Sequence, residues 1–428
     1  MSSRLRPMTE RYRRPDWVRR MNAMADSVGG DARPIVPLDG ATLLAEAERS
    51  LEGTRRLAEG ERSLDGDFGD PEWRERFTKL VHALDAAPMH VVGRLMTRQE
   101  LLRAARTRLL LIDEVDAHPE ITGAPVAAPI VVTGPARSGT TILFELLALD
   151  PELRAPTAWK ALHPLPRPVS EDDAEKRLAW SECEQELWAD VQPEFAAMHE
   201  LRSDLPVECV TLTIPSFAGP HWMMVAQPVG QWMPHTDLMY DFHRRVLQVM
   251  QHGGTSKTWL LKTPGHLMSL EQLFATYPDA WVVQTHRDPA KTMPSTVSIT
   301  ALVQWMRTDA VDVDVLADVI RSTFTYGLNH SVDLRTSGPS APSAGRFVDV
   351  HFEHLMRDPV GAVGQAYERM GRRLTTAHAD AIRAYLAEKP KGKFGVHQYA
   401  PEDWGLTAES LRADLAPYVA HFGVALES

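Results

Sequence analysis

The sequence predicts an α/β fold in which a P-loop-like parallel sheet is flanked by helices. Short β-rich runs alternate with helical patterns through the middle of the chain, which is typical of a parallel sheet covered on both faces. A glycine-containing turn joins the first of these runs to a helix. The chain has 428 residues, of which 44% are hydrophobic, so it can bury a large core.

The N-terminal part of the chain, residues 1–125, is predicted to be a helical region. From Ala41 to about His118, apolar residues recur three and four positions apart, which is the period of an amphipathic helix. The first 20 residues are rich in arginine and lead into no apolar stretch of the kind found in secretion signals. We interpret this start as a solvated tail or as a subunit-contact arm of a homo-oligomer, in preference to a membrane-surface anchor.

Residues 126–428 are predicted to form the α/β domain. Its first strand is expected at Pro129–Thr133, followed by a turn and by a helix from Thr140 toward Leu149. Residues 337–345 have the composition of a surface loop. Three more runs have the composition of strands, namely Thr258–Leu261, Ala280–Thr285 and Arg346–Val350.

A long insertion, residues 154–254, separates the first predicted strand from the second. It is rich in proline near its start and in aromatic residues and methionine further on. Such a segment beside a βα core is typical of substrate-binding loops and lid helices. The residues expected to form an apolar pocket wall are Trp222, Met223, Met224, Trp232, Met233 and Tyr240.

Charge and composition exclude several classes of protein. The formal net charge of −11 argues against nucleic acid as the main partner, because phosphate neutralisation needs a basic surface. No apolar run approaches the roughly 18 residues that a membrane span requires. Cys183 and Cys209 are the two cysteines and match no zinc motif. We therefore expect free, buried thiols, a cytoplasmic location and no metal ion.

Residues 134–141, with the sequence GPARSGTT, form a candidate anion-binding loop. The GxxxxG spacing lets backbone N–H groups surround an anion at the start of the following helix. The triphosphate-binding version of this loop has a lysine directly after the second glycine, where this chain has Thr140. The positive charge is instead Arg137, and hydroxyls come from Ser138, Thr140 and Thr141. This set favours a single phosphate over a magnesium-bound triphosphate.

The segment PARSGTT resembles the 5′-phosphosulfate loop of sulfotransferases that use 3′-phosphoadenosine 5′-phosphosulfate (PAPS). A second signature of that family is an arginine at the end of a later strand and a serine eight residues on, which hold the 3′-phosphate. The segment THRDPAKTMPS supplies Arg287 and Ser295. The resemblance covers about residues 125–405. It implies a PAPS site that includes Arg137, Ser138, Gly139, Thr140, Thr141, Arg287 and Ser295.

Two weaker matches complete the implied cofactor site. KPKGKFGVHQY resembles a C-terminal loop of the family, which would make Lys391, Gly392 and Gly395 contacts of the 3′-phosphate. The arginine that commonly precedes this lysine is replaced by Pro390. FEHLMRDP resembles a segment whose aromatic ring packs on the adenine, and this role would fall to Phe352.

Sulfuryl transfer to a hydroxyl needs a cation at the leaving phosphate and a base at the acceptor, and it needs no metal. The resemblance implies that Lys262 is the cation, together with Arg137 of the loop. For the base, His266 lies near the position of the family's histidine and has a suitable ordinary pKa. Glu208 and His163 are the alternatives.

The predicted acceptor is an apolar small molecule with a hydroxyl, such as a sterol, a lipid or a phenol. Two other functions are left open at this point. One is a P-loop nucleotide phosphotransferase or NTPase, which the missing loop lysine disfavours. The other is a catalytically inactive protein that binds 3′-phosphoadenosine 5′-phosphate (PAP).

Overall fold

The computed structural model describes residues 5–51, 64–165, 173–198, 200–227, 232–254, 256–336, 345–389 and 400–427. Within these ranges the chain forms a five-stranded sheet with the order β2-β3-β1-β4-β5, and every neighbouring pair is parallel. The predicted α/β fold class is therefore confirmed. The strands are β1 (Ile130–Thr133), β2 (Leu153–Arg154), β3 (Thr258–Lys262), β4 (Trp281–His286) and β5 (Phe347–His351).

The central strand β1 pairs with both β3 and β4, so that Ile130 lies opposite Leu260 on one side and Trp281 on the other. All four residues of β1 are buried, as expected for a parallel strand with helices on both faces. The three strands end at the same edge of the sheet. Binding sites of open α/β sheets lie at this carboxyl edge, and the candidate anion-binding loop follows β1 there.

The four predicted strands are confirmed, each to within one residue at either end. Strand β2 was not predicted, because a run of two residues carries no periodicity. Residues 337–344 of the predicted surface loop lie outside the described residues.

The predicted helical N-terminal region is confirmed over its described residues. The longest helix of this region, Val91–Ala117, packs closely against Arg307, since a Cβ added to Gly93 would lie 2.1 Å from the carbonyl oxygen of Arg307. The helices of this region are α1 (Met8–Arg11), α2 (Asp16–Asn22), α3 (Gly40–Arg49), α4 (Trp73–Asp85) and α5 (Val91–Ala117).

Over its described part the arginine-rich start is not a solvated tail, which corrects one of the two interpretations, while a role in subunit contact stays a prediction. The Arg11 guanidinium lies 4.1 Å from the centre of the Trp404 ring, and the Arg14 guanidinium lies 3.6 Å from the centre of the Trp305 ring. Arg14 also donates to the Asp309 carboxylate at 2.7 Å. Cation–π and ion-pair contacts therefore attach this segment to the chain's own body.

The remaining helices surround the sheet. Those before β3 are α6 (Thr140–Ala148), α7 (Ala158–Leu162), α8 (Asp173–Val191), α9 (Glu194–Met198), α10 (Cys209–Thr213), α11 (His221–Ala226) and α12 (Thr236–Gln251). Those after β3 are α13 (Leu270–Thr276), α14 (Pro289–Trp305), α15 (Val313–Thr336), α16 (Phe352–Arg357), α17 (Pro359–Arg369), α18 (Thr376–Glu388), α19 (Ala408–Asp414) and α20 (Ala416–Phe422).

Two hydrophobic cores cover the two faces of the sheet. Side chains alternate along β1, so Ile130 and Val132 face one core, with α6 and α17, while Val131 faces the other. The second core is shared with the N-terminal helices and with helices of the insertion, through residues such as Leu101 and Phe217. The division into residues 1–125 and 126–428 stays a prediction.

A buried ion-pair network also joins the N-terminal region to the insertion. Arg307 donates to the Glu100 carboxylate at 2.7 Å, and His221 lies 3.3 Å from its other oxygen. Burial alone would raise the pKa of Glu100, but the charge of Arg307 and the contact with His221 lower it to about 2.

Both cysteines are free, as predicted, but only Cys209 is buried, and Cys183 is exposed. Among the described helices, none has both the length and the apolar character that a membrane crossing requires.

Candidate active site

The loop after β1 has the backbone shape of an anion-binding turn. Both Arg137 and Gly139 have positive φ angles, of 65° and 93°, which turn the chain sharply before α6 begins. A Cβ added to Gly134 would lie 2.3 Å from the hydroxyl oxygen of Thr285, so glycine is required by the close approach of β4. The Arg137 side chain is exposed.

The hydroxyls of the loop divide into two kinds. The Ser138 hydroxyl is buried and lies 2.5 Å from both the carbonyl oxygen of Pro135 and the Thr285 hydroxyl, so it holds the loop against β4. Thr140 is buried and Thr141 is exposed. Helix α6 has no side-chain cap at Gly139. Its first backbone N–H groups are therefore suited to an anion.

Arg287, which directly follows β4, lies against this loop. Its Nη1 donates to the carbonyl oxygen of Arg137 at 2.8 Å, so the two predicted phosphate signatures meet in space. Its guanidinium carbon lies 3.8 Å from the centre of the Phe352 ring. The Phe352 ring also lies close to the loop, since a Cβ added to Gly139 would lie 3.2 Å from it. The structure thus brings together Arg137, Gly139, Arg287 and Phe352.

The guanidinium of Arg287 also has an acidic partner that the sequence did not predict. Its Nε and Nη2 donate to the two carboxylate oxygens of Glu427 at 2.6 and 2.9 Å. The backbone of Glu427 is fixed by Asp288, which accepts its N–H at 2.8 Å, and by Arg412, which donates to its carbonyl at 2.6 Å. The Glu427 carboxylate therefore binds Arg287, the residue that is predicted to hold the 3′-phosphate.

Ser295, the second residue of the predicted 3′-phosphate pair, is buried on α14. This helix begins after Asp288, whose carboxylate accepts the backbone N–H of Ala290 at 3.0 Å as an N-cap. Burial alone would raise the pKa of Asp288, but hydrogen bonds from Arg412 and from two backbone N–H groups lower it below its ordinary value.

Lys262 ends β3 and is almost fully buried, with 3% of its surface exposed. Its ammonium donates to the Thr141 hydroxyl at 3.1 Å and to the Glu208 carboxylate at 2.5 Å. The other Glu208 oxygen accepts from the Thr263 hydroxyl at 3.0 Å. The predicted cation therefore lies beside the start of α6, paired with a carboxylate that the sequence offered as an alternative base.

His266, the first choice for the base, is buried in a different environment. Its Nδ1 lies 2.7 Å from the Tyr240 hydroxyl, and its ring is next to that of His243, which in turn lies 2.8 Å from the Tyr277 hydroxyl. Burial, with a smaller contribution from His243, lowers the pKa of His266 to about 3. At neutral pH the imidazole is therefore uncharged and a weak base.

His163, the other alternative base, directly follows α7. Its Nε2 lies 3.4 Å from a carboxylate oxygen of Glu184, and its ring packs against the edge of Trp180. Lys391, Gly392 and Gly395 lie outside the described residues.

The sequence matches the model of the sulfotransferase family over residues 129–376, which is more than half of the chain. The chain belongs to the sulfotransferase family. The matched segment begins just before β1 and contains the anion-binding loop, Glu208, Lys262, Arg287 and Phe352. The sequence resemblance is thus confirmed, and the protein is a sulfotransferase.

Two similar curated proteins are both named omega-hydroxy-beta-dihydromenaquinone-9 sulfotransferase Stf3, from Mycobacterium bovis and Mycobacterium tuberculosis. Each is 25% identical to this sulfotransferase over 291 residues, which are 66% of this chain and 72% of the relative.

Solved structures of two further mycobacterial sulfotransferases are similar to the whole molecule. STF9 from Mycobacterium avium has a TM-score of 0.76 and 25% identity, and the match covers 91% of this chain and 98% of that one. STF1 from Mycobacterium tuberculosis H37Rv has a TM-score of 0.63 and 28% identity, with coverages of 88% and 98%. The likeness thus includes the N-terminal helices, for which the sequence offered no diagnostic motif.

The predicted pocket-wall cluster divides into core and surface. Its three aromatic residues, Trp222, Trp232 and Tyr240, are buried, and the Trp232 indole donates to the carbonyl of Phe217 at 3.2 Å. The three methionines of the cluster are exposed: Met223, Met224 and Met233.

Proposed function

We propose that this sulfotransferase moves the sulfuryl group of PAPS to the hydroxyl of an apolar small molecule. The observation that carries the proposal is the contact of Arg287 with Arg137, because it joins two sequence signatures that are 150 residues apart. A cytoplasmic location and a homo-oligomer stay predictions.

The residues around the loop fit a nucleotide that carries two separate phosphates. We assign the phosphosulfate end to the loop, with the uncapped start of α6, Arg137 and Thr141 as donors. We assign the 3′-phosphate to Arg287 and Ser295, and the adenine to Phe352. When bound, PAPS supplies an activated sulfuryl group whose leaving group is a phosphate.

Lys262 and Glu208 are the proposed reacting pair of the chain. The Lys262 ammonium, held next to Thr141, stabilises negative charge that builds at the leaving phosphate. The Glu208 carboxylate takes the proton of the acceptor hydroxyl. Its contacts with Lys262 and Thr263 hold the carboxylate in place beside this cation. Glu208 is preferred to His266 because it touches Lys262, whereas the His266 imidazole is paired with Tyr240 and has a pKa of about 3.

An apolar acceptor is supported by two independent observations. The curated relatives are named for a menaquinone derivative with a hydroxyl. In this chain, Met223, Met224 and Met233 are exposed on the insertion, and flexible thioethers suit an apolar ligand of irregular shape.

The 3′-phosphate has a competitor in Glu427. The 3′-phosphate and the Glu427 carboxylate would accept hydrogen bonds from the same two N–H groups of Arg287. Binding of PAPS is therefore coupled to release of Glu427 from Arg287.

Labelled PAPS and a panel of hydroxyl compounds, from polyprenyl alcohols to simple phenols, test the proposed reaction. We expect label transfer to apolar members of the panel, read by mass spectrometry. Binding of PAP without any transfer would indicate the inactive binding protein, and stabilisation by Mg-ATP but not by PAP would indicate a phosphotransferase.

The cofactor site is tested by calorimetry with PAP. Arg287→Ala should weaken binding by at least about tenfold, because a charged hydrogen bond lost from a bound phosphate costs roughly 1.5–3 kcal/mol. Arg357→Ala is the matched control, since Arg357 makes an exposed helical pair with Glu353. Equal PAP affinities in the two variants would reject the assignment of Arg287.

A further inference from the structure

Three side chains that the proposed reaction does not use lie close together on the segments that precede β1 and β3. His118 Nδ1 lies 3.5 Å from a carboxylate oxygen of Glu120, and His252 Nε2 lies 3.9 Å from the same oxygen. One ligand atom from each of the three residues lies within 4.8 Å of the other two. The two imidazole rings have their centres 5.0 Å apart.

The backbone already holds these residues next to each other. His118 is the C-cap of α5, and His252 is the C-cap of α12. The side chain of Gln248 on α12 donates to the carbonyls of Thr122 and Ala124 at 2.9 and 2.7 Å. The ligand atoms of the cluster can therefore come together mainly through side-chain rotation, so closing the site costs little chain entropy.

We propose that His118, Glu120 and His252 form a binding site for a divalent transition-metal ion of the zinc type. Two neutral imidazoles and one carboxylate are a ligand set that zinc uses, with water in the remaining position. Bonds of about 2.0–2.2 Å place neighbouring ligand atoms roughly 3.3 Å apart. The cluster therefore needs only a small contraction to reach this geometry.

The position of the site predicts what a bound ion does. His118 precedes the segment that leads into β1, and His252 precedes the segment that leads into β3. These neighbouring strands carry the anion-binding loop and Lys262 at their other ends. A bound ion would link the segments that precede β1 and β3. It would therefore stabilise the fold without contacting the reacting groups.

The test is zinc titration of the full chain, purified without a polyhistidine tag and freed of metal with a chelator. Calorimetry with ZnCl₂ should show one site, and about 100 μM ZnCl₂ should raise Tm by several degrees. Co²⁺ should give visible absorption bands of a four- or five-coordinate ion. The enzyme's PAP affinity should not change, so the metal site and the proposed function fail or succeed separately.

His252→Asn and Glu120→Gln should each weaken zinc binding by at least about tenfold and remove the gain in Tm, because each loses one of three ligands. His82→Asn is the matched control, since His82 is an exposed histidine on α4. Zinc affinity in His252→Asn equal to that of the control, or no zinc binding by the unmodified chain, would overturn the proposal. Zinc binding without a gain in Tm would overturn the inference that the bound ion stabilises the fold.

Discussion

Glu208 and His266 differ in what surrounds their proton-accepting atoms. Glu208 has one oxygen on the Lys262 ammonium and the other on the Thr263 hydroxyl. His266 has its Nδ1 on the Tyr240 hydroxyl, inside the apolar body of the protein. The first arrangement suits the proposed reacting group beside a cation, and the second is that of a core histidine with a hydrogen bond at one ring nitrogen, Nδ1.

Glu208→Gln should therefore lower kcat by at least about 100-fold, since a general base contributes roughly 10²–10⁴-fold. PAP affinity should remain within about twofold, because Glu208 is not assigned to the cofactor. His266→Gln should lower Tm but leave kcat within about tenfold. The measurements are steady-state kinetics, calorimetry and thermal unfolding of both variants. A large loss of kcat in His266→Gln together with an unchanged kcat in Glu208→Gln would instead identify His266 as the base, as the sequence first suggested.

The contact of Glu427 with Arg287 could not be predicted from the sequence. Arg287 and Ser295 could be predicted because their spacing forms a motif within one segment. Glu427 contacts Arg287 across 140 residues, and no local pattern marks it. Its position depends on the packing of α19 and α20 beyond the sheet, which composition and periodicity do not specify.

Glu427→Gln is expected to tighten PAP binding by about threefold or more, because a neutral amide competes less well than a carboxylate for the Arg287 guanidinium. Calorimetry with PAP measures this change. Glu402→Gln, on an exposed residue elsewhere, serves as the control and should leave the affinity unaltered. Weaker binding in Glu427→Gln would mean that the carboxylate orients Arg287 for the phosphate instead of competing with it.

At the scale of elements, the strands that could be predicted are those with enough apolar residues to show a pattern. β1, β3, β4 and β5 each have four to six residues and lie next to clear turns or helices. The edge strand β2 pairs only through Leu153 and Arg154, so its existence depends on β3 and not on its own sequence. The helices of the insertion could be expected as a class, but not the division of their side chains between core and surface.

The insertion helix α11 gives a prediction that separates these two kinds of side chain. Trp222 has no exposed surface, so Trp222→Ala should destabilise the fold by about 3–5 kcal/mol. The combined change of Met223 and Met224 to Ala should alter stability little, because both are exposed. It should raise the acceptor KM severalfold if these thioethers contact the acceptor.

Urea unfolding and acceptor kinetics on the two α11 variants measure both effects. A Met223→Ala, Met224→Ala double variant with an unchanged KM for every apolar acceptor would remove these methionines from the acceptor site. Trp222→Ala with full stability would contradict its place in the core.

At the scale of the whole molecule, buried neutral histidines make stability depend on pH. Burial lowers the pKa of His243 to about 4 and that of His266 to about 3, whereas both have ordinary values near 6.5 in the unfolded chain. Below pH 6.5 these two histidines bind protons in the unfolded chain but stay neutral in the folded chain until the pH nears their lower pKa values. Stability should therefore fall as the pH decreases from 6.5 toward 4, by about 1.4 kcal/mol per pH unit for each such histidine.

This slope is measured by urea unfolding at several pH values between 7 and 5. His243→Gln should reduce the slope by roughly one proton, even if it lowers stability at every pH. His82→Gln, at an exposed position, should leave the slope unchanged. A slope that His243→Gln does not alter would mean that this ring is accessible to water in the folded enzyme.

The order of the strands determines when the candidate anion-binding loop can take its shape. The hydrogen bond between Thr133 and Thr263 spans 130 residues, and the one between Thr133 and Thr285 spans 152. On the ribosome, β1 emerges long before either neighbour, so its apolar residues have no neighbouring strand to pair with until the chain has grown past Lys262, and its second neighbour is complete only at His286. Closing such long loops is slow. The N-terminal helices, which pack against one another as well as against later segments, can begin to form during this delay.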